Sequence, residues 1–233
     1  MEKVPLSDAQ IEIIQLQEYY ENTSINNIAG IVNIKNKVTI SEIEKALNNL
    51  IKNHDSYRIK IKKENSEYEQ YISEHKDKNF NVVDFTNDQE EYRHWIDEQV
   101  SKNIFSINSD LFEFTIIKLP EGKTGILLLQ HHVISDGWSM TIAVNTICNY
   151  LIDGTKTETL EPSYFDHVRE ELKYKNSERF EKDKQFWIEK LENFEDNELF
   201  KKNATNCAQG DRQSFNLTDA YTVKLLTFCE KII

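Results

Sequence analysis

Two consecutive apolar segments, Leu111 to Leu119 and Gly125 to His132, constrain this chain more than any other feature. Each has the length and residue types of a β-strand. Between them lies Pro120-Glu121-Gly122-Lys123, a turn by composition. The pair is expected to form a buried hairpin at the centre of a sheet, with the other elements arranged around it.

Those other elements alternate between helical and strand-like patterns. Residues 7–20 carry Ile11, Ile14, Leu16 and Tyr19 near helical spacing behind Ser7, an N-cap candidate. Residues 27–35 read as a strand. Residues 40–53 form the clearest helix, with Ile40, Ile43, Ala46, Leu47, Leu50 and Ile51 on one face and Ser41 near its start. Tyr57, Ile59 and Ile61, then Tyr68 and Tyr71, predict a second hairpin around Glu64-Asn65-Ser66. Phe80 to Phe85 predicts a short strand and residues 88–102 an acidic amphipathic helix. Trp138 to Ile152 reads as a helix closed by Asp153-Gly154. Residues 163–194 read as charged helix with a stripe of Phe180, Trp187, Leu191 and Phe194, and residues 196–211 as a polar loop. Gln213 to Leu217 is a strand candidate and Asp219 to Ile233 a final helix. No regular βαβ alternation runs through this order. The fold class expected is α/β, an α+β sandwich with a mixed β-sheet flanked by helices.

Charge excludes two classes of partner. The chain has 28 Lys and Arg against 40 Asp and Glu, a formal charge of −12. A surface so acidic argues against binding nucleic acid or an anionic membrane. Its 39% apolar content, with 12 Phe, 10 Tyr and 3 Trp, supports a sizeable core. Three scattered cysteines, Cys148, Cys207 and Cys229, fit free thiols in a reducing compartment, and the localisation expected is cytoplasmic. The N-terminal residues lack the apolar core of a signal peptide. The longest aliphatic run, Ile126 to Leu129, is far too short to span a bilayer.

Chemistry concentrates in Gln130-His131-His132-Val133-Ile134-Ser135-Asp136-Gly137-Trp138-Ser139, a strand end, a turn and a helix start. Neighbouring strand side chains point to opposite faces. One of the two histidines is therefore expected to face the interior and the other a cleft. The same divergence argues against a metal site, which needs convergent ligands. A histidine titrating near neutral pH accepts a proton from, or orients, an amine or hydroxyl attacking an acyl group. Gly137 is expected to permit a special turn geometry, and the helix start behind it offers amide donors. His54, His75, His94 and His167 lie in polar stretches and are expected to carry no chemistry. Trp138 is expected to pack in the core. No G-x-S-x-G elbow, P-loop or G-x-G-x-x-G loop is present.

His131-His132-x-x-x-Asp136-Gly137 resembles the H-H-x-x-x-D-G motif of nonribosomal peptide synthetase condensation domains, of the superfamily that includes chloramphenicol acetyltransferase. Further segments match in order. Leu6-Ser7-Asp8-Ala9-Gln10 is similar to the family's S-x-A-Q opening. Asn53-His54-Asp55-Ser56-Tyr57-Arg58 is similar to R-H-E-x-L-R, with Asn53 in place of the arginine and Tyr57 in place of the leucine. Tyr164-Phe165-Asp166-His167 resembles Y-x-D-Y, with His167 in place of the second aromatic residue. Phe186-Trp187 and Leu191 stand where the family often has F-W-x-x-x-L. The resemblance covers residues 5 to about 220, about half of the family's domain.

What the resemblance implies is specific. Residues 1–233 would be the N-terminal lobe of a chloramphenicol acetyltransferase-like domain, with the C-terminal lobe absent. His132 would be catalytic, and Gly137 would lend its amide to the oxyanion or thioester. His131, Asp136, Arg58 and Ser139 would support the site, Asp136 through a buried ion pair with Arg58. The reaction would be amide formation between a carrier-bound acyl or peptidyl thioester and a carrier-bound aminoacyl amine. Phosphopantetheine would belong to the upstream and downstream carrier proteins, with no cofactor bound directly and no metal. A CoA-dependent acyltransferase, an epimerisation domain and a catalytically inactive docking module are the alternatives. A lone lobe is expected to be inactive, to leave apolar surface open and to self-associate.

Overall fold

The structure, a computed structural model, describes residues 2–65, 67–154, 162–192, 194 and 215–231. The chain divides into two compact units, Met1–Asp196 and Asn197–Ile233. Among the described residues of the first, seven strands form two sheets: β1 (Lys3–Pro5), β2 (Asn27–Ile34), β3 (Ile59–Glu64), β4 (Glu67–Ile72), β5 (Asn81–Asp84), β6 (Phe112–Lys118) and β7 (Thr124–His131). Six helices accompany them: α1 (Asp8–Tyr19), α2 (Ile40–Asn53), α3 (Gln89–Val100), α4 (Gly137–Asp153), α5 (Tyr164–Lys175) and α6 (Glu178–Leu191). The second unit contains α7 (Asp219–Glu230).

The larger sheet has the order β2-β7-β6-β5 and is mixed. β7 pairs antiparallel with β2 and β6, whereas β5 and β6 run parallel. The expected hairpin is thus β6–β7, and it is central. Every residue of β7 is buried. Its alternation explains why no polar face was visible in the sequence. Ile126 and Leu128 enter the main core with Ile116 and α2, while Leu127 packs with Ile117 and Phe85 beneath Tyr92, Trp95 and Ile96. Both faces of the strand are covered, which demands a continuous apolar run. The connection between the strands is a short 3₁₀ turn in which Glu121 and Gly122 have φ of 60° and 69°.

The smaller sheet has the order β1-β4-β3, all antiparallel. β1 was not expected. It is three residues long with a proline at its end, which suits an edge strand.

Helix α2 spans the 40–53 range expected. Ile43, Ala46, Leu47, Leu50 and Ile51 are all at most 1% exposed, and burying each large side chain contributes ~1.5–3 kcal/mol. Its N-cap is Thr39: the Thr39 hydroxyl accepts from Glu42 N–H and the Glu42 carboxylate accepts from Thr39 N–H. Ser7 caps α1 as expected, in a reciprocal box with Gln10. Gly154 closes α4 at φ 60°. The 163–194 segment is two helices, because Asn176 ends α5 and the Ser177 hydroxyl accepts from Phe180 N–H to start α6. The strand expected at Gln213–Leu217 is not found in Phe215–Leu217, which have no regular structure, and its first two residues lie outside the described residues. The loop expected at 196–211 also lies outside them. No helix among the described residues is long and apolar enough to cross a membrane.

Candidate active site

His131 closes β7, and the chain turns over Val133 to Ser135 before Asp136 caps α4. The turn is held by Ile134 N–H to His131 O at 3.1 Å and Ser135 N–H to His132 O at 3.4 Å. The Asp136 carboxylate accepts from both the N–H and the hydroxyl of Ser139, each at 2.7 Å. The Ser139 amide, ahead of its hydroxyl, the Trp138 amide and the charge of nearby His132, holds the Asp136 carboxyl below the usual carboxylate range. Ser139 therefore supports the turn through Asp136.

The two histidines diverge. His131 is fully buried. Its Nδ1 accepts from Val133 N–H at 3.2 Å, so Nε2 carries the proton and donates to Gln17 Oε1 at 3.2 Å. Gln17 Oε1 also accepts from Asn26 Nδ2. Burial first, and the neighbouring His132 second, push the His131 pKa down to about 4, which keeps the ring neutral. His132 is exposed. Its backbone N–H is anchored on Asn26 O at 2.7 Å, and its ring has no hydrogen-bond partner among the described residues.

His132 lines a cleft of about 350 Å³. Ser135, Asp136 and Ser139 come from its own turn, His54, Asp55 and Ser56 from the end of α2, Ala9, Gln10 and Ile13 from α1, and Pro162 and Tyr164 from the start of α5. Segments dispersed over more than half of the chain thus converge on one wall. Tyr164 links three of them. Its hydroxyl meets Ser7 Oγ at 3.0 Å, and its N–H donates to Asp55 Oδ1 at 3.2 Å.

Several expectations need correction. Arg58 and Asp136 form no ion pair. The Arg58 guanidinium donates instead to the carbonyls of Ile51 at 3.2 Å, Ser73 at 3.0 Å and Lys52 at 3.5 Å, bracing the last turn of α2. Asp136 is exposed and occupied as a helix cap, so neither charge needs the other. Gly137 does not adopt a left-handed conformation, and a Cβ there would meet nothing within 4 Å. As the first residue of α4 it has an N–H that no helical carbonyl can satisfy. Trp138 is 73% exposed rather than packed in the core. His54, expected to be inert, lines the cleft, with its Nε2 3.1 Å from Thr146 Oγ1. Its place in the segment before Arg58 was the available signal.

The profile of the Condensation domain family matches residues 1–232. Surfactin synthase subunit 1 of Bacillus subtilis (strain 168) is 34% identical over 97% of this chain, which corresponds to 7% of that protein. Tyrocidine synthase 3 of Brevibacillus parabrevis is 27% identical over 78% of this chain and 3% of its own length. Among solved structures, the starter condensation domain of the rhizomide synthetase matches with a TM-score of 0.77 at 20% identity, over 84% of this chain and 49% of that one. The first condensation domain of the calcium-dependent antibiotic synthetase matches with a TM-score of 0.72 at 16% identity, over 82% and 48%. The chain spans about half the length of these solved domains and less than a tenth of the curated relatives. Its mixed sheet and flanking helices are those of the chloramphenicol acetyltransferase-like fold, and the chain belongs to the condensation-domain family.

Proposed function

We propose that this chain is the N-terminal lobe of an amide-forming condensation domain in a nonribosomal peptide synthetase, and that His132 assists the bond-forming step. The observation that carries the reading is the exposed His132 ring, set at the end of a fully buried strand on a cleft where four of the five matching sequence segments meet.

The donor is an acyl or peptidyl thioester and the acceptor an aminoacyl thioester, each on the phosphopantetheine arm of a carrier domain. The arm belongs to the substrates. The α-amine attacks the thioester carbonyl, the C–N bond forms and the C–S bond breaks. The amine proton passes by way of His132 to the departing thiolate, leaving an amide and a free thiol. Asp136 carries a negative charge near His132 that favours the imidazolium during transfer. The resemblance gives the oxyanion of the tetrahedral intermediate to the Gly137 N–H, which has no partner among the described residues at the positive end of α4. His131 holds the turn and takes no proton, since its pKa lies near 4.

The test is His132→Ala in the longer synthetase, read as single-turnover amide formation between loaded carriers. Loss of a general base lowers the rate ~10²–10⁴-fold. A wild-type rate would overturn the assignment.

A further inference from the structure

Gln10 is 2% exposed and uses all four hydrogen-bonding positions of its side-chain amide. Its Oε1 accepts from Ser7 N–H at 3.0 Å and from Gln70 Nε2 at 2.8 Å. Its Nε2 donates to Gln70 Oε1 at 3.0 Å and to the Val133 carbonyl at 3.1 Å. Gln70 is fully buried, and its second donor goes to Pro5 O at 3.0 Å in β1. The Ser7 N–H can only meet an oxygen, so the amide cannot flip, and Nε2 is obliged to face Val133. Val133 follows His132 directly, and its own N–H is held by the His131 ring. Both peptide groups of the turn residue beside His132 are thus gripped, one by His131 and the other by a glutamine 123 residues away in the sequence.

We propose that Gln10, locked by Gln70, is a positioning residue for His132. It does not touch the reacting atoms. It fixes the Val133 carbonyl, one residue beyond His132, and so the path of the turn from which the His132 ring enters the cleft. This explains why the opening S-x-A-Q segment ends on an amide. Glutamate would present lone pairs to the Val133 carbonyl in place of a donor, and methionine or leucine would leave that buried carbonyl unpaired. The role rests on the reading of His132 given above.

Gln10→Met in the longer synthetase tests it, beside Ile14→Ala. Ile14 is 1% exposed on the same helix and shares the core with Val133 and Ile134, but its side chain has no hydrogen bond to give the turn, so its loss is the control for packing and stability. The expected result is a fall of about ten-fold in kcat for amide formation, the scale of one buried hydrogen bond, with KM for the carriers unchanged. Amide exchange at Ile134 and Ser135 accelerates about ten-fold in Gln10→Met relative to Ile14→Ala. Gln70→Met, which leaves Gln10 in place but unlocked, gives an intermediate loss of kcat and serves if Gln10→Met fails to fold. If Gln10→Met keeps the kcat of Ile14→Ala while His132→Ala is inactive, the positioning role is overturned and the function stands. If His132→Ala retains the wild-type rate, the function falls. Exchange at Ile134 and Ser135 then decides alone whether Gln10 holds the turn, and unchanged exchange overturns that hold.

Discussion

The His131 Nε2–H donates to Gln17 Oε1 at 3.2 Å, so the residue before the cleft histidine is tied to the first helix as a neutral ring. In the unfolded chain a histidine titrates near ~6.5, whereas here the pKa is about 4. Above pH ~6.5 neither state is protonated and the contribution to stability is complete. As pH falls from there towards 4, the unfolded chain takes up a proton that the folded chain refuses, and stability declines by about 3 kcal/mol. Urea unfolding of wild type and His131→Gln between pH 7 and 4 isolates this contribution from that of the carboxylates. The wild-type advantage is expected to shrink as pH falls, and a gap independent of pH would show that His131 is not held neutral.

Arg58 and Asp136 are expected to be energetically independent. Arg58→Ala removes the donors that brace Ile51, Ser73 and Lys52 carbonyls and costs about 1–3 kcal/mol. Asp136→Ala removes a helix cap and costs ~0.5–2 kcal/mol. A double-mutant cycle measures the relation: the two losses add to within ~0.5 kcal/mol if the groups act separately. A coupling well above that would restore the ion pair.

These two cases show where the sequence was legible. Strand β7, helix α2, the divergence of His131 and His132 and the αL stop at Gly154 follow from local periodicity and residue type, and each lies where its residues predicted. The partners of Arg58 are backbone carbonyls, which leave no trace in residue identity, and the Asp136 carboxylate that the resemblance implied is not among them. Trp138 is apolar and follows a glycine at a helix start. The local sequence has no mark of the face of α4 left uncovered. The Gln10–Gln70 pair joins residues 60 apart through neutral amides, which carry neither charge nor periodicity to announce them. The convergence of the cleft was not legible, because no local rule brings Asp55 to the start of α5.

That contact has a measurable consequence. The Asp55 carboxylate accepts from both Ser163 Oγ and Tyr164 N–H, seating α5 against the end of α2. Asp55→Ala is expected to cost about 1–2 kcal/mol, as for other N-terminal helix caps. It also loosens the Tyr164 wall of the cleft, and limited proteolysis would report this as faster cleavage within the first turns of α5. A proteolysis rate equal to wild type would mean that α5 is seated by Phe165 and Val168 alone, which are 3% and 0% exposed.

The isolated chain is expected to unfold cooperatively, to self-associate and to catalyse nothing. The core around α2 and β7 is complete within Met1–Asp196, which supports a cooperative melt by circular dichroism. The wall bearing His132 is open, and acyl transfer between two tethered substrates depends on holding both in register, which a single wall does not do. Helix α6 meanwhile leaves Phe186, Trp187, Ile188 and Leu191 each more than half exposed. Exposed apolar side chains in such number on one helix favour association. Sedimentation velocity is expected to show dimers or larger species that dissociate in Phe186→Glu/Leu191→Glu. A condensation assay with loaded carriers is expected to stay at background for both forms. Sustained turnover by the isolated chain would mean that its site is complete, and monomers at high concentration would mean that the α6 face does not drive association.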